Sequence, residues 1–153
     1  MNWQYKGIDF IDPAGYFGFI YRITCIPTGK MYIGRKLFTK AKIKAVTKTN
    51  KRKKKLRVAN DWENYYGSSA DLLEDIKTLG KDQFKREILH LTTMRGETNY
   101  LEALEILTSG ALLSDNYYNK WVSLKLHKSS LAHLSSSPQS SASSAPEIPG
   151  ISS

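Results

Sequence analysis

Alternation between apolar and other positions is strongest near the N-terminus. Phe17, Phe19, Tyr21, Ile23 and Cys25 alternate with Gly18, Ile20, Arg22 and Thr24. A period of two built from aromatic and β-branched residues predicts a strand. Ile26-Pro27-Thr28-Gly29 then turns the chain, and Lys30 to Lys36 predicts a second strand. So short a turn makes the two strands antiparallel neighbours. Further on, the period lengthens. Ser68 or Ser69 can cap a helix with Asp71 and Glu74 near its N-terminus; Leu72, Leu73, Ile76 and Leu79 supply its apolar stripe, and Gly80 its stop. Phe84 to Leu91 predicts a short strand. A second helix is expected to start near Thr98, with Leu101, Leu104 and Thr108 on one face. The order β-β-α-β-α predicts an α/β (α+β) unit: a small, mainly antiparallel sheet with an N-terminal hairpin, flanked by helices.

Composition narrows the setting. The chain has 153 residues, 41% of them hydrophobic, which suits one folded domain. Its formal net charge of +9 calls for an acidic partner, nucleic acid or an anionic surface. No apolar run approaches the roughly 18 residues of a membrane span. The N-terminus carries no secretory pattern, so an intracellular protein without a membrane partner is expected. Cys25 falls in the apolar strand pattern and reads as a core residue. His90, His127 and His133 show no paired ligand spacing for zinc.

Two segments depart from the rest. Residues 35–57 hold twelve Lys or Arg and no Asp or Glu, and read as a basic loop. A charge run is usually only a solvated face, but one of a single sign fits phosphate contact. The candidates are Lys36, Lys42, Lys51, Arg52, Lys53, Lys54, Lys55 and Arg57. Residues 129–153 hold eleven serines and three prolines, and are expected to be disordered or appended. The expected organisation is a lead-in over 1–14, a domain over 15–128, and that tail.

The hairpin also carries a motif. It reads Gly18-Phe19-Ile20-Tyr21, ten intervening residues, then Tyr32-Ile33-Gly34, with Lys30 just before the second triplet. Downstream come Glu102, within Tyr100-Leu101-Glu102-Ala103-Leu104-Glu105-Ile106, and then Tyr118-Asn119. In that order these elements resemble the GIY-YIG nuclease family, over roughly residues 15 to 128. Phe19 stands where the family has glycine, and Gly18 lies directly before it. The stretch from Asn60 to Leu89 looks like a phage-associated, homing-endonuclease-like branch.

The resemblance implies the GIY-YIG fold and hydrolysis of DNA by a one-metal mechanism. Such hydrolysis needs an activated water and stabilised charge on the phosphate and leaving oxygen. Tyr21 and Tyr32, on paired strands, can bracket one water; the resemblance implies that one, Tyr21 first, takes its proton or orients it. Glu102 is implied as the ligand of one divalent cation, Mg²⁺ or Mn²⁺, with no small-molecule cofactor besides, and Asn119 completes the expected site. Glu105 is the rival carboxylate, three residues on. Relatives carry an arginine on a helix after YIG. The ungapped position here holds Lys42, and Arg35 is the preferred substitute, with Lys36 next.

Each feature has a plainer reading. Tyr21 and Tyr32 can be a cross-strand packing pair, Glu102 a solvated helix residue and Asn119 a turn residue. Trp62, Tyr65 and Tyr66 read as packing rather than base-stacking residues. A catalytically inactive nuclease fold that binds DNA or RNA is the main alternative; a basic ribosome-associated protein explains the charge but not the motif.

Overall fold

A computed structural model describes residues 1–44, 46–49, 51–52 and 54–135. In chain order they form β1 (Gln4–Tyr5), β2 (Ile8–Asp9), β3 (Gly18–Cys25), β4 (Met31–Leu37), β5 (Thr39–Ile43), β6 (Lys55–Ala59), α1 (Ala70–Leu79), β7 (Phe84–Thr92) and α2 (Arg95–Thr108). One sheet runs β2-β1-β7-β3-β4, and β5 with β6 makes a separate two-stranded ribbon. Only β1 with β7 is a parallel pair among the described strands. The expected mixed, mainly antiparallel architecture is the one present.

β3 lies between β7 and β4, and both of its faces are covered. Side chains alternate across a strand, so its two apolar sets fill two cores. Phe19, Tyr21, Ile23 and Cys25 join Trp3, Phe38, Trp62, Tyr66 and the α1 residues Leu72 and Ile76. On the other face Ile20 and Ile33 meet Ile106 of α2. Each large side chain so buried contributes about 1.5–3 kcal/mol. Trp62 and Tyr66 therefore do pack as core, and Cys25 is buried.

The helices differ from expectation in detail. Ser69 caps α1, accepting from the Leu72 N–H at 3.4 Å, and Gly80 closes it. Only Leu72 and Ile76 of its expected stripe are buried; Leu73 and Leu79 are exposed. Leu73 sits about 100° round from Leu72, off the sheet, and Leu79 lies in the last turn. α2 begins at Arg95. Its inward side carries Thr98, Leu101, Glu102, Ala103 and Ile106, so Leu101 of the expected face does pack on the core, while Leu104 and Thr108 are exposed. Thr98 can be buried because its hydroxyl lies 2.7 Å from that of Thr92.

About half of the segment 35–57 is strand, and the expected basic loop shrinks to the residues between β5 and β6. Arg35 and Lys36 belong to β4, and Thr39–Ile43 pairs with Lys55–Ala59. Both stretches alternate with period two, which their charge masks. Lys51 and Arg52 lie between the ribbon strands, and Lys53 lies outside the described residues. The lead-in is part of the fold, since Trp3 is buried and its indole N–H donates to the Trp62 carbonyl at 2.8 Å. Lys128–Leu131 and Ala132–Ser135 form short helical turns; residues 136–153, most of the expected disordered tail, lie outside the described residues. No helix among the described residues is long and apolar enough to cross a membrane.

Candidate active site

A cavity of about 550 Å³ opens around β4, the edge strand of the sheet. Tyr21 lies opposite Gly34, and Ile23 opposite Tyr32, so both tyrosines stand on one face, with ring centroids 6.1 Å apart. Arg35 belongs to the other face, where α2 packs, and its guanidinium lies 3.0 Å from the Glu102 carboxylate and donates to the Asn99 side-chain amide oxygen, Oδ1, at 2.6 Å. Gly34 is what lets groups from two faces meet. A Cβ there would sit 2.5 Å from the Tyr21 hydroxyl and 2.7 Å from its Cζ. The Tyr21 ring therefore lies across bare backbone, and its hydroxyl reaches the strand edge. Tyr21, Tyr32, Arg35, Glu102 and Asn119 all line the cavity.

Burial sets the protonation of these groups. Tyr21 is 1% exposed, and burial pushes its phenol well above the usual 10, with Tyr65, Tyr32 and Glu102 pushing the same way. Burial also raises the Tyr32 phenol, against the lowering effect of its hydrogen bond to Ser68. Both phenols thus keep their protons at neutral pH and act as hydrogen-bonding groups rather than ready bases. The Glu102 carboxyl is likewise raised by burial, with Arg35 pulling it back. Lys36 lies over the Tyr65 ring, 3.9 Å from its centroid, and burial lowers its ammonium. Tyr65 in turn meets Tyr21 edge to face.

Asn119 completes the strand edge. The Met31 N–H donates to the Asn116 carbonyl and the Tyr118 N–H to the Met31 carbonyl, both at 2.8 Å. One residue pair further, the Asn119 amide takes over the ladder. It accepts from the Ile33 N–H at 2.9 Å and donates to the Ile33 carbonyl at 2.7 Å. Its polar atoms thus hold the strand that carries Tyr32, Gly34 and Arg35. Glu105, the rival carboxylate, instead pairs with His90 at 2.6 Å.

The basic residues separate into groups. Lys42 and Lys55 are exposed on the ribbon, with Lys51, Arg52 and Lys54 between its strands. Arg57 is drawn back, its Nε donating to Thr39 Oγ1 at 2.7 Å and its guanidinium lying over Phe17. Lys42, the ungapped arginine position, is on the ribbon, whereas Arg35 is at the cavity. Sequence reasoning missed Asn99, three residues before Glu102 and so recoverable from helical spacing. It also missed the Lys120–Asp71 pair at 2.6 Å and Trp121 on the cavity rim, for which the chain offers no local signal.

Residues 3–122 match the family described as "Putative endonuclease segE, GIY-YIG domain". No curated protein and no solved structure matches the chain. The family match spans most of the 153 residues and contains the whole tyrosine, glutamate and asparagine set around the cavity, so the chain belongs to the GIY-YIG endonuclease family.

Proposed function

We propose that this protein is a DNA endonuclease that hydrolyses phosphodiester bonds by a one-metal mechanism within the cell, of the homing-like, phage-associated sort. The observation that carries the reading is the meeting of Tyr21, Tyr32, Arg35 and Glu102 on one cavity around β4. The homing-like part rests on the sequence resemblance over Asn60 to Leu89.

Glu102 suits a hard cation. It is a largely buried carboxylate on the cavity wall. Among the described residues no three His, Cys, Asp or Glu side chains gather into a metal cage. The fit is therefore to an ion that keeps most of its shell as water and phosphate oxygen, as magnesium or manganese does. Such an ion on Glu102 supplies charge stabilisation to the phosphate and the leaving oxygen. Arg35, now on Glu102, offers the same phosphate a bidentate guanidinium. The Tyr21 and Tyr32 hydroxyls orient the attacking water. Its oxygen joins phosphorus, the bond to the leaving oxygen breaks, and of the water's two protons one ends on the leaving oxygen while the other stays on the new phosphate group or passes to solvent. The ribbon's Lys42, Lys51, Arg52, Lys54 and Lys55 grip flanking phosphates, with Lys53 beside them in sequence.

Two departures from the family pattern leave the chemistry intact. Phe19 is wholly buried among Trp3, Tyr21, Phe38 and Trp62, so it replaces the family glycine without entering the cavity. Arg35 brings a guanidinium to the cavity from the strand. The test is nicking of supercoiled plasmid by the purified chain with magnesium and with EDTA. Magnesium-dependent nicks are expected. DNA binding without nicks under any divalent ion returns the protein to the inactive-fold reading.

A further inference from the structure

Where residues 116–119 run along the edge of β4, the chain goes on through three consecutive pinned residues. The Tyr118 hydroxyl donates to Asp75 at 2.6 Å. Asn119 holds both backbone groups of Ile33. The Lys120 ammonium lies 2.6 Å from Asp71. The next residue, Trp121, is 73% exposed on the rim of the cavity that Tyr21, Arg35 and Glu102 also line. The other two tryptophans are core residues, Trp3 at 2% and Trp62 at 7% exposed. A lone exposed apolar side chain is ordinarily incidental. Trp121 differs in being a large flat ring on an anchored segment, next in sequence to Lys120 and lining the same cavity as Tyr21, Arg35 and Glu102.

We propose that Trp121 is a base-stacking platform. Its indole stacks on a DNA base next to the scissile phosphate, and so sets that phosphate over Glu102 and Arg35. The inference rests on the DNA reading above. Stacking tolerates any base, since each has a π-face, so this contact adds affinity and register but little sequence preference. It also favours steps that unstack easily, such as pyrimidine–purine steps or an unpaired nucleotide.

The test uses the full chain in EDTA, with a labelled duplex, and reads two signals. Anisotropy of the label reports binding, and acrylamide quenching of tryptophan emission reports access to Trp121, the one exposed indole. DNA is expected to remove most acrylamide-accessible emission. Trp121→Phe is expected to lose that emission already in the free protein and to bind nearly as the parent does. Trp121→Ala should bind about fivefold to a hundredfold more weakly, with an unchanged melting temperature because the side chain is exposed. A duplex with one unpaired nucleotide should bind the parent more tightly than a matched one, and Trp121→Ala should lose that preference. Binding with acrylamide access unchanged, or parental affinity in Trp121→Ala, overturns the platform and leaves the nuclease reading standing. No anisotropy change at all overturns the DNA reading, and the platform with it.

Discussion

Two antiparallel hairpins follow one another in this chain and are built for opposite ends. β3–β4 is flanked by β7 on one side and by residues 116–119 on the other, and its aromatic face is sealed by a core. β5–β6 pairs only with itself among the described strands, and most of its residues are exposed. Its ties to the body include its base, where Asn60 donates to the Phe38 and Leu37 carbonyls, and Arg57, whose guanidinium lies over Phe17. On the proposed function, the first hairpin has to hold hydroxyls and a guanidinium in a narrow range of positions, and packing on both faces suits that. On the same proposal the second has only to present charge, and a solvated, low-contact ribbon suits that without a fixed side-chain geometry. Position-sensitive and charge-sensitive parts should therefore respond differently to substitution.

The largest effect is expected at the packed hairpin's partner carboxylate. Glu102→Gln should abolish magnesium-dependent nicking while duplex affinity stays near the parent's. Glu105→Gln should nick almost normally, because Glu105 is engaged with His90. Parental rates in the Glu102 variant, measured on supercoiled plasmid, would remove that residue from the chemistry.

Next comes the buried phenol. Tyr21→Phe removes one hydroxyl from a side chain that is 1% exposed, so the fold should hold. Loss of the group that orients water should cost about 10²- to 10⁴-fold in rate. Tyr117→Phe, outside the cavity lining, should cost little. Equal small losses in single-turnover assays would mark Tyr21 as packing alone.

Gly34→Ala should rank third. Its Cβ would meet the Tyr21 hydroxyl at 2.5 Å. Relief requires the ring or the strand to move, at about 1–3 kcal/mol of stability. Nicking should fall because the hydroxyl leaves its place. In the Tyr21→Phe background part of the clash is gone, so the stability cost of Gly34→Ala should shrink. Full additivity in chemical denaturation would show that the Tyr21 hydroxyl does not lie against Gly34.

Much of the packed hairpin was legible because its signal is local. Period-two alternation, the turn at Pro27 and Gly29, the Ser69 cap and the spacing of Tyr21 to Tyr32 are all short-range facts. The ribbon was not legible as strand, since lysines at Lys40 and Lys42 hid the same alternation under charge. On α2, the expected face of Leu101, Leu104 and Thr108 holds only at Leu101, and buried Thr98, Ala103 and Ile106 with half-buried Glu102 mark the rest of the inward side. Thr98 and Glu102 are tolerated inward only because Thr92 and Arg35 await them from β7 and β4. Such partners are distant in sequence, as is Asp71 from Lys120, and no periodicity reports them. Trp121 reads as any other tryptophan until the pinned residues before it are seen.

The smallest effect per residue is expected on the ribbon, where it should be one of salt rather than of shape. Lys42, Lys44, Lys54 and Lys55 are exposed there, and the Lys44 N–H still donates to the Lys54 carbonyl at 3.1 Å, extending the ladder. Replacing all four with glutamine keeps the backbone pairing and removes four charges. Each phosphate they neutralise contributes about −0.9 to the slope of log affinity against log salt, so the slope should flatten by up to about 3 to 4. Phosphate contacts carry little base information, so binding to two unrelated duplexes should weaken by similar factors. Nicking at saturating protein should survive, because Arg35 and Glu102 stay in place. A parental salt slope would show that the ribbon does not touch phosphate. A loss confined to one duplex would mean instead that the ribbon enters the major groove, which admits two strands, and reads base edges there. The two hairpins would then both be position-sensitive, and the contrast between them would be one of target, backbone against base, rather than of rigidity against charge.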